Sequence, residues 1–231
     1  VDVLRFYVLS SNAPWEDLKF NWDGVSTVNR TMNILWNVYR FPLPYMILDG
    51  FSPVSTPDGS YDEEYILRSA REMPEIDRWI ISRINSIAKQ VTTDMNEYQI
   101  HRVTRQLMNF ILEDLSRWYV QIVRPRMWLE EDSPDKKFAY ETMVYCLRML
   151  CRLMAPFSPH VTEAMFENLR LGSDPVSVHM LTWPSGDIRL IDEDLERRMD
   201  VIRSFDEAVA NARQAGKRKL RWPVQNVIVV T

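Results

Sequence analysis

The sequence predicts an all-α fold, a helical bundle followed by one short terminal β-strand. Apolar residues recur at three- and four-residue steps along most of the chain, and the connections between these segments are short. Strand-like character is confined to Val227, Ile228, Val229 and Val230. With 231 residues, 46% of them hydrophobic, the chain is long enough to bury a substantial core. No apolar run approaches the roughly 20 residues of a membrane span, and no internal repeat is evident.

Taken in order, Val3, Leu4, Tyr7 and Val8 open the chain on an amphipathic pattern. Residues 25–41 form a helix with Val25, Val28, Met32, Leu35, Trp36 and Tyr39 on one face, and Asn29, Arg30, Asn33, Asn37 and Arg40 on the others. A loop rich in Pro, Ser, Gly and Asp follows from Pro42 to about Asp62. Pro74 and Asp77 then open a helix buried through Ile76, Ile80, Ile84, Ile87 and Val91. A long third helix, from about Glu97 to Val123, carries the stripe Val103, Leu107, Phe110, Ile111, Leu115, Trp118 and Ile122, and Pro125 ends its regularity. Pro134 and Asp135 start the next, with Met143, Leu147, Leu150, Cys151 and Met154 inward. The break at 155–159 leads to a short helix bearing Val161, Met165, Phe166 and Leu169. After an irregular stretch with Pro175, Pro184 and Gly186, a charged helix spans about 192–215 with Leu195, Met199, Ile202, Phe205 and Val209 inward.

The chemistry-bearing residues are sparse. The six glycines include no G-x-x-x-x-G-K-[ST] or G-x-G-x-x-G pattern, so no local ATP pocket is visible. Cys146 and Cys151 lack metal-ligand or disulfide spacing and read as buried thiols in a reducing compartment. His101, His160 and His179 are too scattered to suggest a metal site or a catalytic base. The opening residues have none of the regions of a signal peptide, which points to the cytoplasm. On a chain of net charge -4, Arg213, Lys217, Arg218, Lys219 and Arg221 crowd beside Trp222 and Pro223. Clustered cations displace counterions from a nucleic-acid backbone whatever its sequence. The same cluster also suits a solvated helix end, where cations complement the C-terminal dipole. A start within an amphipathic pattern and an end on a lone strand suggest a piece of a longer polypeptide.

Several motifs, in order, carry a resemblance. Asp2-Val3-Leu4-Arg5-Phe6-Tyr7-Val8-Leu9-Ser10-Ser11 and Ala13-Pro14-Trp15-Glu16-Asp17-Leu18-Lys19-Phe20 look like the segment after the KMSKS loop of class Ia aminoacyl-tRNA synthetases. Leu35-Trp36-Asn37-Val38-Tyr39-Arg40-Phe41, Asp77-Arg78-Trp79-Ile80-Ile81-Ser82-Arg83, Ser116-Arg117-Trp118-Tyr119-Val120, Arg124-Pro125-Arg126-Met127-Trp128 and Leu153-Met154-Ala155-Pro156-Phe157-Ser158-Pro159-His160 resemble the anticodon-binding region of the isoleucyl-tRNA synthetases. Several are shared with the valyl and leucyl enzymes. Ser177-Val178-His179-Met180 followed by Trp183-Pro184, and Lys219-Leu220-Arg221-Trp222-Pro223, lean toward isoleucine.

The resemblance implies three parts: residues 1–24 joining a catalytic domain to the bundle, 25–222 as the helical anticodon-binding domain, and 223–231 as the start of a C-terminal module. It implies tRNA-Ile as partner, together with the catalytic and C-terminal domains of the same polypeptide. ATP and Mg would serve the parent enzyme, with no cofactor and no catalysis in this stretch. It also implies recognition by Asn37 and Arg40, one helical step apart; the bland alternative is helix bridging by Asn37 and a surface ion pair for Arg40. Arg124, Arg126 and Trp128 form a second candidate surface, a mixture of cations and rings suited to phosphate contact and base stacking. Trp118 fits the core stripe, and Arg102 and Arg105 fit a solvated face. Lys217, Arg218, Lys219 and Arg221 complete the candidate tRNA-binding set. The equivalent domain of a valyl or leucyl enzyme, and a helical protein-interaction scaffold, are the competing functions.

Overall fold

A computed structural model describes residues 1–131, 133–219, 222, 223 and 226. The terminal strand expected at Val227–Val230 and the tail residue Arg221 lie outside the described residues. The chain divides into two compact units, Val1–Ile191 and Asp192–Thr231. In the first unit α1 is Asp2–Ser11, α2 Trp22–Arg40, α3 Leu43–Leu48, α4 Glu64–Ser69, α5 Glu75–Asn96 and α6 Ile100–Asn109. A π-helical stretch, Phe110–Tyr119, continues α6 directly into α7, Val120–Trp128; α8 is Pro134–Met154 and α9 Pro159–Leu169. The second unit holds α10, Glu193–Ala215. No helix among the described residues is long and apolar enough to cross a membrane.

Among the described residues, three α-helix starts are written by side-chain caps. The Asn21 side chain accepts from Gly24 N–H at the start of α2, Ser133 accepts from Lys136 N–H before Pro134 in α8, and Asp192 accepts from Leu195 N–H in α10. Each such cap is worth about 0.5–2 kcal/mol over alanine. The core forms where α8 packs against α5, α7 and α9, and where α5 packs against α6 and the π-helical stretch. Trp79, Phe110, Tyr119, Tyr140 and Phe166 are fully buried there.

The two ends of the first unit meet at α1 and α9. Asp2 Oδ2 accepts from Val161 N–H at 2.7 Å, Arg5 donates to the Pro156 carbonyl at 3.2 Å, and the Phe6 and Phe157 rings meet edge-on with centroids 6.4 Å apart. This junction and the larger packing of α1 on α2 and α6 select which face of α1 is inward. Phe6, Tyr7 and Ser10 are buried, whereas Leu4 and Val8, expected inward by periodicity, are exposed.

Four further details depart from the periodic reading. Residues 43–48, expected as loop, form α3, with Pro44 in its first turn and Met46 buried; a proline there removes only a donor that has no helical acceptor anyway. The inward stripe of the long helix slips by one residue: Tyr119 and Val123 are buried where Trp118 and Ile122 were expected. The cause is the π-helical stretch, which takes more residues per turn than an α-helix. Pro125 lies inside α7 instead of ending it. The turn beyond it is held by Arg126, which grips Asp77 across the bundle, and by buried Val123 and Met127. In α10, Leu195 and Met199 are buried, but Ile202 and Phe205 are exposed.

Candidate nucleic-acid interface

Where α2 faces the π-helical stretch and α7, the seam opens into a pocket of about 140 Å³. Ile34, Asn37, Val38 and Phe41 of α2 line one side; Ser116, Val120, Gln121 and Arg124 line the other. Burial of Leu35, Val38 and Tyr39 fixes the rotation of α2 and leaves Asn37 and Arg40 exposed. On the facing helix, burial of Val120, Val123 and Met127 turns Gln121, Arg124 and Trp128 outward.

Arg124 sets the electrostatics. Its guanidinium lies 5.1 Å from the Phe41 ring centroid and 5.9 Å from that of Trp128. Among the described residues its buried Nε has no hydrogen-bond partner and its guanidinium makes no ion pair. A cation held by ring faces instead of a carboxylate keeps its charge available to an incoming anion. Trp128 is 54% exposed, so its indole is open to stacking.

The structure therefore brings Asn37, Arg124 and Trp128 together from two distant segments. Arg40 sits on the exposed last turn of α2, outside the pocket lining. Arg126 points into the bundle. It grips Asp77 through bonds of 3.0 and 2.7 Å and pairs with Asp135 at 3.0 Å, while the Tyr119 hydroxyl donates to Asp77 at 2.7 Å. Burial pushes the Asp77 carboxyl up despite these partners. Burial opposes the charge on Arg126, but the bonds and charge of Asp77 outweigh it and hold the guanidinium protonated.

Lys217, Arg218 and Lys219 belong to the second unit and are exposed just beyond Gly216, where α10 ends. Arg213 donates to the carbonyls of Lys219 and Trp222, and the Lys219 ammonium lies 5.9 Å from the Trp222 ring. Phe41, Ser116 and Gln121 were not singled out from sequence. Gln121 was within reach of a helical count, one turn before Arg124, whereas Phe41 and Ser116 needed the packing of α2 to be known.

Other chemistry finds little purchase. Among the described residues no three His, Cys, Asp or Glu side chains gather where they could hold a metal ion. Burial pushes the Cys151 thiol up to about 12 and raises Cys146 as well, so neither is a ready nucleophile.

A family model described as the anticodon-binding domain of tRNA ligase matches residues 77–228. The chain belongs to this family. This anticodon-binding domain is 87% identical, over all 231 residues, to the isoleucine–tRNA ligase of Methanospirillum hungatei. It is 64% identical to that of Methanoculleus marisnigri, again over 231 residues. In both cases the match covers 100% of this chain and 22% of the relative, so the chain spans about a fifth of the length of the curated relatives it matches. Among solved structures, the ternary complex of Agrobacterium radiobacter LeuRS, tRNA and LeuAMS contains a chain that superposes with a TM-score of 0.56 at 18% identity, over 83% of this chain and 20% of that one. At that identity the likeness shows the helical fold alone.

Proposed function

We propose that this chain is the part of an isoleucine–tRNA ligase that binds the anticodon arm of tRNA-Ile and positions the tRNA for ATP-dependent aminoacylation elsewhere on the same polypeptide. The observation that carries this is Arg124, a guanidinium with no carboxylate partner among the described residues, set between Phe41 and Trp128 and facing Asn37 across the pocket. Loop bases of RNA splay from their stack, lie on rings or guanidinium planes and are read along their edges by amides. Asn37 and Gln121 supply amides, Arg124 a cation and Trp128 a stacking face. At about 140 Å³ the pocket is well below the roughly 300–1,000 Å³ of drug-sized sites and suits one planar ring. The isoleucine assignment is supported by 87% identity along the whole chain.

On this reading residues 1–24 join the bundle to the catalytic domain, 25–222 form the bundle and 223–231 begin a C-terminal module, all in the cytoplasm. Arg40, Lys217, Arg218, Lys219 and Arg221 add backbone contacts, and Arg126 supports the surface from behind. ATP and magnesium serve the catalytic domain, and no step is assigned to them here. The test is titration of the chain with a tRNA-Ile transcript, the same transcript with an altered anticodon, and a tRNA-Val control. Weaker binding on changing the anticodon, with further loss in Asn37→Ala or Arg124→Ala, is the expected result. Equal binding of all three would reduce the role to backbone docking.

A further inference from the structure

The long helix 100–128 carries a second polar surface, which overlaps the pocket lining only at Gln121 and Arg124. Arg102, Arg105, Asn109, Arg117, Gln121 and Arg124 follow one another by three- and four-residue steps, except for the longer interval across Glu113, along its outward line; all are exposed except Arg124, which is half-buried. Glu113, the acidic residue on this line, is paired with Arg117 at 2.5 Å. Arg102 and Arg105 make no ion pair among the described residues.

At the α6 end the line runs into a groove of about 630 Å³ between α5 and α6, lined by Arg83, Ser86, Gln90, Arg105, Gln106 and Asn109. Its carboxylates are turned inward. Asp114 is 2% exposed and is bonded by Arg83 at 3.2 Å; Asp94 is 3% exposed and accepts from Gln106 at 2.6 Å and Gln90 at 3.2 Å. Arg105 is fixed at the rim by the carbonyls of Ser10, at 2.9 Å, and Ser11. The surface thus presents donors and cations in front, with the acids that orient them behind. Such an arrangement matches a phosphodiester backbone and not an apolar ligand.

Length points the same way. From Arg102 to Arg124 the helix rises about 30 Å at roughly 1.5 Å per residue, and one strand of a duplex advances along its axis by about 3.4 Å or less per phosphate. The line is therefore long enough for several consecutive phosphates, and it ends at the pocket, where Gln121 and Arg124 belong to both surfaces. We propose that the outward line of helix 100–128, together with the α5–α6 groove, is a track for the sugar–phosphate backbone of the paired stem of the RNA whose loop enters the α2–α7 pocket. The track rests on the RNA-binding reading above, and it assigns work to Arg102, Arg105 and Asn109 that neither the pocket nor the basic tail performs.

The test compares an anticodon stem-loop with the isolated single-stranded loop sequence, each titrated against the 231-residue chain over a range of salt. The variant Arg102→Glu with Asn109→Glu changes two exposed residues for which no side-chain bond is found among the described residues. It should weaken stem-loop binding about tenfold or more and lower the salt slope by about 1 to 2 units, while binding of the single strand stays unchanged. The neutral pair Arg102→Gln with Asn109→Ala should give a smaller loss in the same order. Arg124→Ala should weaken both RNAs. Stem-loop binding unchanged in the charge-reversed variant, or an equal loss for both RNAs, would overturn the track and leave the pocket standing. Absence of RNA binding by the unaltered chain at low salt would overturn the RNA-binding reading and the track with it.

Discussion

Arg126→Ala should unfold the bundle more readily without first touching RNA. Asp77 is fully buried, and Arg126, 15% exposed, meets it through two bonds of 3.0 and 2.7 Å. Removing the guanidinium leaves a buried carboxylate with the Tyr119 hydroxyl, 2.7 Å away, as its remaining side-chain donor at that site. Breaking one side of such a buried pair costs about 3–5 kcal/mol. The deficit should depend on pH with a definite sign. Burial already raises the Asp77 carboxyl above its ordinary value, and loss of the cation raises it further. A carboxyl whose folded pKa exceeds its unfolded value contributes stability below the unfolded pKa, about 3.9, and loses it as pH rises through the folded one. The cost of Arg126→Ala should therefore be largest at neutral pH and shrink as pH falls toward 4. Urea denaturation of both proteins across that window reads it directly. A cost below about 1 kcal/mol at neutral pH, with RNA affinity reduced, would refute the assignment of Arg126 as a strut and make it a direct contact.

Trp128→Ala should leave the melting temperature nearly unchanged and weaken loop binding by about 1–3 kcal/mol, the worth of one stacked base, measured by anisotropy. Glu141 lies on α8, 2% exposed, accepts from Val54 N–H at 2.9 Å, and is pushed up to about 7 by burial. Its contribution is complete below about pH 4.3, the unfolded value, and is lost as pH rises through about 7. Glu141→Gln should accordingly stabilise the protein above pH 7 by at most about 4 kcal/mol and flatten its stability between pH 5 and pH 8, read from urea midpoints. Gly186→Ala should lower the melting temperature, because φ is +80° and a Cβ would stand 2.4 Å from the Asn85 carbonyl oxygen. A cost of roughly 1–3 kcal/mol is expected, and an unchanged melt would show that this turn rearranges freely.

The parts of the fold legible in sequence are those written by short-range chemistry. Pro134 behind Ser133, and the acidic first turn of α10 behind Asp192, place helix starts within a residue or so. Period alone gives the inward face of α8, Met143, Leu147, Leu150, Cys151 and Met154, but not the burial of every residue from Ala139 to Cys151, which follows from packing on several sides. What escaped were features set by partners. A constant period of 3.6 cannot anticipate the π-helical stretch, so it assigns Trp118 and Ile122 the places that Tyr119 and Val123 occupy. Pro42 and Pro44 read as breakers, yet Pro42 stands at the N-cap of α3 and Pro44 sits in its first turn. In α1 two faces of similar apolarity competed, and the choice fell to the helices packed on it, α2 and α6, with a smaller share from α9, more than 150 residues away. The candidate residues Asn37, Arg124 and Trp128 were visible as types, but nothing local indicated that one pocket would join the first two. Arg126, identical in chemistry to Arg124 and two residues away, turns inward because Asp77 waits there.

The junction of α1 with α9 has a consequence for how the protein is made. Chains emerge from the ribosome N-terminus first, and α1 appears some 150 residues before the backbone N–H of Val161 that its Asp2 carboxylate receives. Throughout that interval Phe6 lacks Phe157, and the Arg5 guanidinium lacks the Pro156 carbonyl. Contacts so distant in sequence are the slow ones to form. The Phe6 edge of α1 therefore stays uncovered on the α9 side until α9 is clear of the exit tunnel, although α2 and α6 can already pack on the rest of the helix. A pause in translation before residue 161 should prolong that exposure and so favour aggregation of the nascent chain.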